Sequence, residues 1–133
     1  MAKMELSKLM YPSMRDELLD ILSTLSNAEY QRDAWVKGKF PPGVQFDNLD
    51  LAIHFLFDDT SLADDPKSMV GVILLDDIEV ELISNLIESL NFIFDKYGLT
   101  LSDESYINKP EWMTVIQKAE EAFNFMRSRN HSN

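Results

Sequence analysis

Apolar residues recur along most of this chain at the three- and four-residue steps of an α-helix, broken by turn-forming clusters. Met14, Leu18, Ile21, Leu22 and Leu25 share one face and predict a first helix over 14–25, with Ser13 as its cap. Ser26-Asn27-Ala28-Glu29 has the form of a capping box and opens a second helix, with Tyr30, Ala34 and Trp35 inward and Gly38 as its stop. Pro41-Pro42-Gly43 forbids helix in the loop that follows. Asp47 then caps a third helix over 48–58, where Leu49, Leu51, Ala52, Ile53, Phe55, Leu56 and Phe57 cover nearly the whole circumference and predict burial on most sides.

Residues 59–67 read as an acidic turn. Met69 to Leu74, with Gly71 between β-branched neighbours, is ambiguous between a short strand and buried irregular chain. The stripe Leu82, Ile83, Leu86, Ile87, Leu90, Ile93, Phe94 and Tyr97 predicts a long helix over 77–97, capped by Asp76 with Glu79 in support and ended by Gly98. A short helical turn fits 102–106. Pro110 opens a last helix over 110–127, with Trp112, Val115, Ile116, Ala119, Phe123 and Met126 inward. The expected fold is all-α: a single-domain bundle of about four to five helices spanning 1–133, with one short strand near 69–74 as an option and flexible ends at 1–12 and 128–133.

Charge changes this picture most. The chain of 133 residues has a net charge of −11 and a pI near 4.4, which argues against nucleic acid and anionic membrane as partners. Residues 47–81 hold ten carboxylates against the single Lys67, whereas residues 1–46 balance six bases against six acids. Caps account for some of these acids. The rest predict a negative face that docks on something positive, made of Asp58, Asp59, Asp64, Asp65, Asp76, Asp77, Glu79 and Glu81. Phe40 and Phe46, on either side of the Pro-Pro-Gly loop, are the expected exposed aromatic pair, while Trp35 and Trp112 belong to the core.

Candidate chemistry is sparse. The absence of Cys removes disulfides, thiolate catalysis and Cys-ligated metals. Asp50, His54 and Asp58 share a helix face and are acceptable metal ligands, but they span about 12 Å at about 1.5 Å per residue, too far for one ion. The expected role is a hydrogen-bonded pair of His54 with an Asp in a buried helix, and no metal. Ser61 and Ser68 lack a nucleophile's surroundings, His131 lies in the tail, and the glycines form no phosphate loop. No catalytic residue and no cofactor is expected. No apolar run reaches the ~18 residues of a membrane span, and Met1 to Lys8 lacks the apolar core of a secretory signal, so a cytoplasmic protein is expected.

The residues Tyr30-Gln31-Arg32…Trp35-Val36, then Asp50…His54-Phe55-Leu56-Phe57-Asp58-Asp59-Thr60…Leu62…Asp65-Pro66…Gly71…Leu74 form a recognisable signature. Across about residues 13–127 the chain resembles a group of small bacterial proteins. Some members act as immunity proteins beside polymorphic or contact-dependent growth-inhibition toxins. The resemblance implies a non-catalytic inhibitor of a cognate toxin domain, a nuclease for preference, whose phosphate-binding Lys and Arg would meet the carboxylates of this chain. It carries no assigned binding residue. The alternatives are a regulatory or adaptor module with a basic protein partner, and a metal-dependent enzyme built on Asp50, His54 and Asp58.

Overall fold

The computed structural model describes residues 6–131 of the chain. Pro12 begins α1 (Pro12–Leu25). Its missing N–H is no loss in a first turn and its ring presets the helical φ, so the helix starts ahead of Ser13. Ser13 therefore lies inside the first turn and does not cap it, and Tyr11 precedes the helix without a side-chain cap bond. The Asn27 side chain accepts from the Tyr30 N–H at 3.0 Å and opens α2 (Ala28–Tyr30), which continues as a wider π-helical segment (Gln31–Val36).

Asn48, not Asp47, caps α3 (Leu49–Ile53), accepting from the Leu51 N–H at 3.0 Å. This helix also continues as π-helix (His54–Asp59), closed where the Thr60 hydroxyl donates to the Phe55 carbonyl at 2.8 Å. The 69–74 segment forms no strand. After a 3-10 turn (Pro66–Met69), Gly71 takes φ +88°, a region open to glycine, and the chain folds back so that the N–H groups of Val72, Ile73 and Leu74 all converge on the Met69 carbonyl. A lone bridge between Val70 and Leu74 is all the pairing this leaves.

Asp76 caps α4 (Asp77–Tyr97) through the Glu79 N–H, and Gly98 ends it at positive φ, as the sequence predicts. Ser102 caps the short α5 (Asp103–Ile107). The last helix, α6 (Trp112–His131), begins after Pro110 and runs beyond Arg127. The chain is thus all-α, and no helix among the described residues is long and apolar enough to cross a membrane.

α6 is the axis of the bundle. Arg15 near the start of α1 bonds Asn130 near the end of α6, and Arg129 of α6 bonds Asp76 at the start of α4. Hence α1 and α4 run parallel and α6 runs antiparallel between them. Leu18, Leu22 and Leu25 of α1, Ile83, Leu86, Leu90 and Ile93 of α4, and Trp112, Val115, Ala119, Ala122 and Met126 of α6 close the core. The small Ala119 and Ala122 let the larger residues of the neighbouring helices fill in against α6.

The ends expected to be flexible enter this architecture. Leu9 is buried, Met10 and Tyr11 donate backbone bonds to Gly71 and Val72, and residues 128–131 extend α6. Residues 1–5 and 132–133, part of the same expectation, lie outside the described residues.

Candidate functional site

The eight carboxylates expected on one docking face separate into two kinds. Asp76 and Glu79 belong to an internal ion cluster. Glu79 is fully buried at the start of α4, and both its oxygens receive the guanidinium of the equally buried Arg15, at 2.7 and 2.9 Å. One oxygen also accepts from the Leu75 N–H at 2.9 Å and the other from Arg129 at 3.0 Å. Arg15 donates further to the Ile73 carbonyl at 3.0 Å and to Asn130 at 2.9 Å, and Arg129 reaches Asp76 at 2.8 Å. Burial works to raise the Asp76 pKa, but the bonds from Arg129 and the Glu79 N–H outweigh it and hold the carboxyl below its usual range. Two cations and two anions cancel here, so neither Asp76 nor Glu79 is offered to a partner.

The other six, Asp58, Asp59, Asp64, Asp65, Asp77 and Glu81, are exposed. The structure brings three of them together. Asp58, Asp59 and Asp64 line a recess of about 310 Å³ together with Tyr11, Met14, Met69 and Val72. Asp65, Asp77 and Glu81 line neither this recess nor the larger one beside it.

The neighbouring recess, about 560 Å³, lies between α1 and α3 and shares Asp59. Glu17 and Asp20 come to it from α1, and Asp47 from the loop before α3. Its apolar surface includes Ile21, Val44, Phe46 and Leu51. Leu51 is 48% exposed and Phe46 63% exposed. The helix is buried on most sides, as its apolar circumference predicts, and Leu51 marks the side that stays open. Of the expected exposed pair, Phe40 is half-buried against the core and holds Phe46 edge-to-face at 6.0 Å between ring centres.

Asp47 is fixed from behind. The Tyr30 hydroxyl donates to it at 2.8 Å and the Trp35 indole N–H at 3.0 Å. Burial, and then the bond to and charge of Asp47, push the Tyr30 phenol far above its ordinary pKa, so it stays a neutral donor. Taken together the two recesses are lined by Glu17, Asp20, Asp47, Asp58, Asp59 and Asp64, and by no Lys or Arg.

His54 and Asp58 do pair, at 2.6 Å, but more than half of each side chain is exposed, so this is a surface pair and not the buried one expected. Among the described residues no group of three His, Asp or Glu is placed to hold a metal ion.

The chain belongs to the family described as Domain of unknown function (DUF7945), whose model matches residues 9–133. No curated protein and no solved structure matches it.

Much of the signature noted in the sequence has a structural task. Gln31 is fully buried and accepts from the Trp112 indole N–H at 2.8 Å while donating to the carbonyls of Thr24 and Leu25. Tyr30 and Trp35 hold Asp47, Thr60 closes the π-helical segment, Leu62 and Leu74 are core, and Gly71 makes the turn. Few signature residues are exposed to a partner: Arg32, Asp50, Asp59, Asp65 and the mutually paired His54 and Asp58. His54 and Asp59 lie on a π-helical segment, a rare conformation that recurs at functional sites.

Proposed function

We propose that this protein is a non-catalytic immunity protein that binds and neutralises a cognate bacterial toxin domain, with a nuclease as the favoured class. The observation that carries the reading is the pair of adjoining recesses lined by six carboxylates and no Lys or Arg. A nuclease must present cations to the phosphates of its substrate, and carboxylates held on a folded surface can take their place. The resemblance of the Tyr30 to Leu74 signature to small bacterial immunity proteins supports the same assignment. The partner would be met in the cytoplasm, and no cofactor is required.

The partner surface is accordingly narrower than the acidic segment of the chain. It comprises Asp58, Asp59 and Asp64, joined by Glu17 and Asp20 of α1. Asp76 and Glu79 leave the assignment, and Asp77 and Glu81 are peripheral to it. The test is co-expression with the product of the neighbouring upstream gene. Protection of cells that is lost in Asp58→Lys/Asp59→Lys/Asp64→Lys, and kept in Asp77→Lys/Glu81→Lys, supports the proposal. No protection by the native chain refutes the immunity role. Protection unchanged by the triple reversal refutes the surface. A basic protein recovered without any toxic activity favours the adaptor reading.

A further inference from the structure

The larger recess is lined by both carboxylates and apolar side chains, and that combination is more selective than charge alone. Phe46 and Leu51 stand exposed within one recess, where apolar side chains next to each other form a contiguous patch. Ile21 and Val44 extend the apolar surface beside them, and Glu17, Asp20, Asp47 and Asp59 line the same recess. Asp47 cannot swing away, because Tyr30 and Trp35 both donate to it. An occupant that matches this lining brings apolar side chains together with cations.

We infer that this recess receives one cationic amphipathic α-helix of a partner protein. Aliphatic or aromatic anchors at successive turns would lie over Phe46 and Leu51, and Lys or Arg on the helix flanks would meet Glu17, Asp20 and Asp59. This is helix-in-groove recognition. It rests on the reading of this face as protein-binding, and it adds what sits there. The carboxylates repel an anionic helix, a nucleic acid or an anionic lipid headgroup, and a purely ionic strand would leave the apolar surface uncovered. α1 and α3 are both anchored in the core, through Leu18, Leu22, Ala52 and Phe55, so the walls are preformed.

The experiment uses the full chain and two synthetic helices of about 14 residues, with Leu on one face and either Lys or Glu on the other. Fluorescence anisotropy of the labelled peptides reads binding. The Leu/Lys helix should bind, and the Leu/Glu helix should not. Phe46→Ser/Leu51→Ser should weaken the Leu/Lys helix by about tenfold or more, as loss of buried anchors does. Glu17→Lys/Asp20→Lys should weaken it to a similar degree and reduce its dependence on salt. Asp77→Lys/Glu81→Lys changes the net charge equally and should act by less than about twofold, since neither residue lines the recess and exposed charges are screened by salt. Circular dichroism confirms that each variant is folded.

Failure of the Leu/Lys helix to bind, equal binding of both helices, or no effect of Phe46→Ser/Leu51→Ser overturns the inference. Equal weakening by both charge reversals does so too, because it marks diffuse attraction. None of these readouts involves a toxin. Toxin protection without peptide binding leaves the proposed function standing and removes the groove, and peptide binding without protection does the reverse.

Discussion

The most demanding consequence of the structure concerns Glu79. Its carboxylate is fully buried, accepts four hydrogen bonds, and compensates an Arg15 that is equally shielded from water. Glu79→Ala removes those acceptors at once. It leaves the Arg15 guanidinium without its counter-charge and the Leu75 N–H without a partner. Breaking one side of a buried ion pair costs about 3–5 kcal/mol, against a total stability of about 5–15 kcal/mol for a domain.

The loss should appear in urea unfolding at neutral pH, followed by far-UV circular dichroism and by the fluorescence of Trp35 and Trp112. With a slope of about 2 kcal/mol/M, the midpoint should fall by about 2 M. A cycle with Arg15→Met, Glu79→Leu and the double variant separates the pair from its parts. The double variant should be less damaged than the two single losses together, by about 2 kcal/mol, because it strands no opposing charge. A midpoint shift below about 0.5 M for Glu79→Ala, or additivity of the two single losses, would refute the assignment of Glu79 as an internal clamp.

Three further outcomes follow from separate sites. Gln31→Ala should cost about 1–3 kcal/mol by orphaning the buried Trp112 N–H, and the loss should show as a lower urea midpoint with an altered Trp112 emission. Asp103 accepts from the Leu49 N–H at the start of α3, yet burial, with Asp50 and Asp47 adding to it, raises its carboxyl above the usual range. Asp103→Asn keeps the acceptor and removes the charge, so its melting temperature at neutral pH should equal or exceed the native value, while Asp103→Ala should lose about 1 kcal/mol. At the far end of the bundle the Lys96 ammonium, bonded at 2.6 Å, holds Glu111 down from 4.5 to about 2, with help from the Tyr97 hydroxyl. A depressed folded pKa stabilises above the unfolded value and is lost as pH falls through the folded one. Glu111→Gln should therefore flatten the decline in melting temperature between about pH 5 and about pH 2.

The helices that proved legible were those with long unbroken stripes. α4 carries both a capping signal and a stripe, and its bounds follow from them. The helical stretch 49–59 lies within one residue of the 48–58 that the sequence predicts, but the wider π turns in it and after α2 leave no mark in a pattern read at 3.6 residues per turn. Leu51 shows the limit of a one-helix argument: an apolar circumference predicts burial only if the rest of the chain supplies a cover. The ion cluster has a signal in the sequence. Arg15 is in register with Leu18 and Leu22, Glu79 with Ile83 and Leu86, and Arg129 with Ala122 and Met126. Charges of opposite sign within apolar stripes point to a buried pair between the helices that carry them. Glu79 sits where it can support the Asp76 cap, but its register places it inward. The candidate site was half visible. Asp58, Asp59 and Asp64 lie in the acidic segment, but Glu17 and Asp20 sit in a charge-balanced stretch and join them only across space.

The position of α6 bears on how the chain is made. α1 and α4 leave the ribosome first, each with an apolar stripe and with Arg15 or Glu79 set within it. Their common partner follows them, and the bond from Arg15 to Asn130 closes a loop of 115 residues. Such distant closure slows folding relative to bundles built from adjacent hairpins. Until α6 emerges, the nascent chain exposes two greasy helices bearing complementary charges, a form suited to capture by chaperones and to errors of pairing between neighbouring copies.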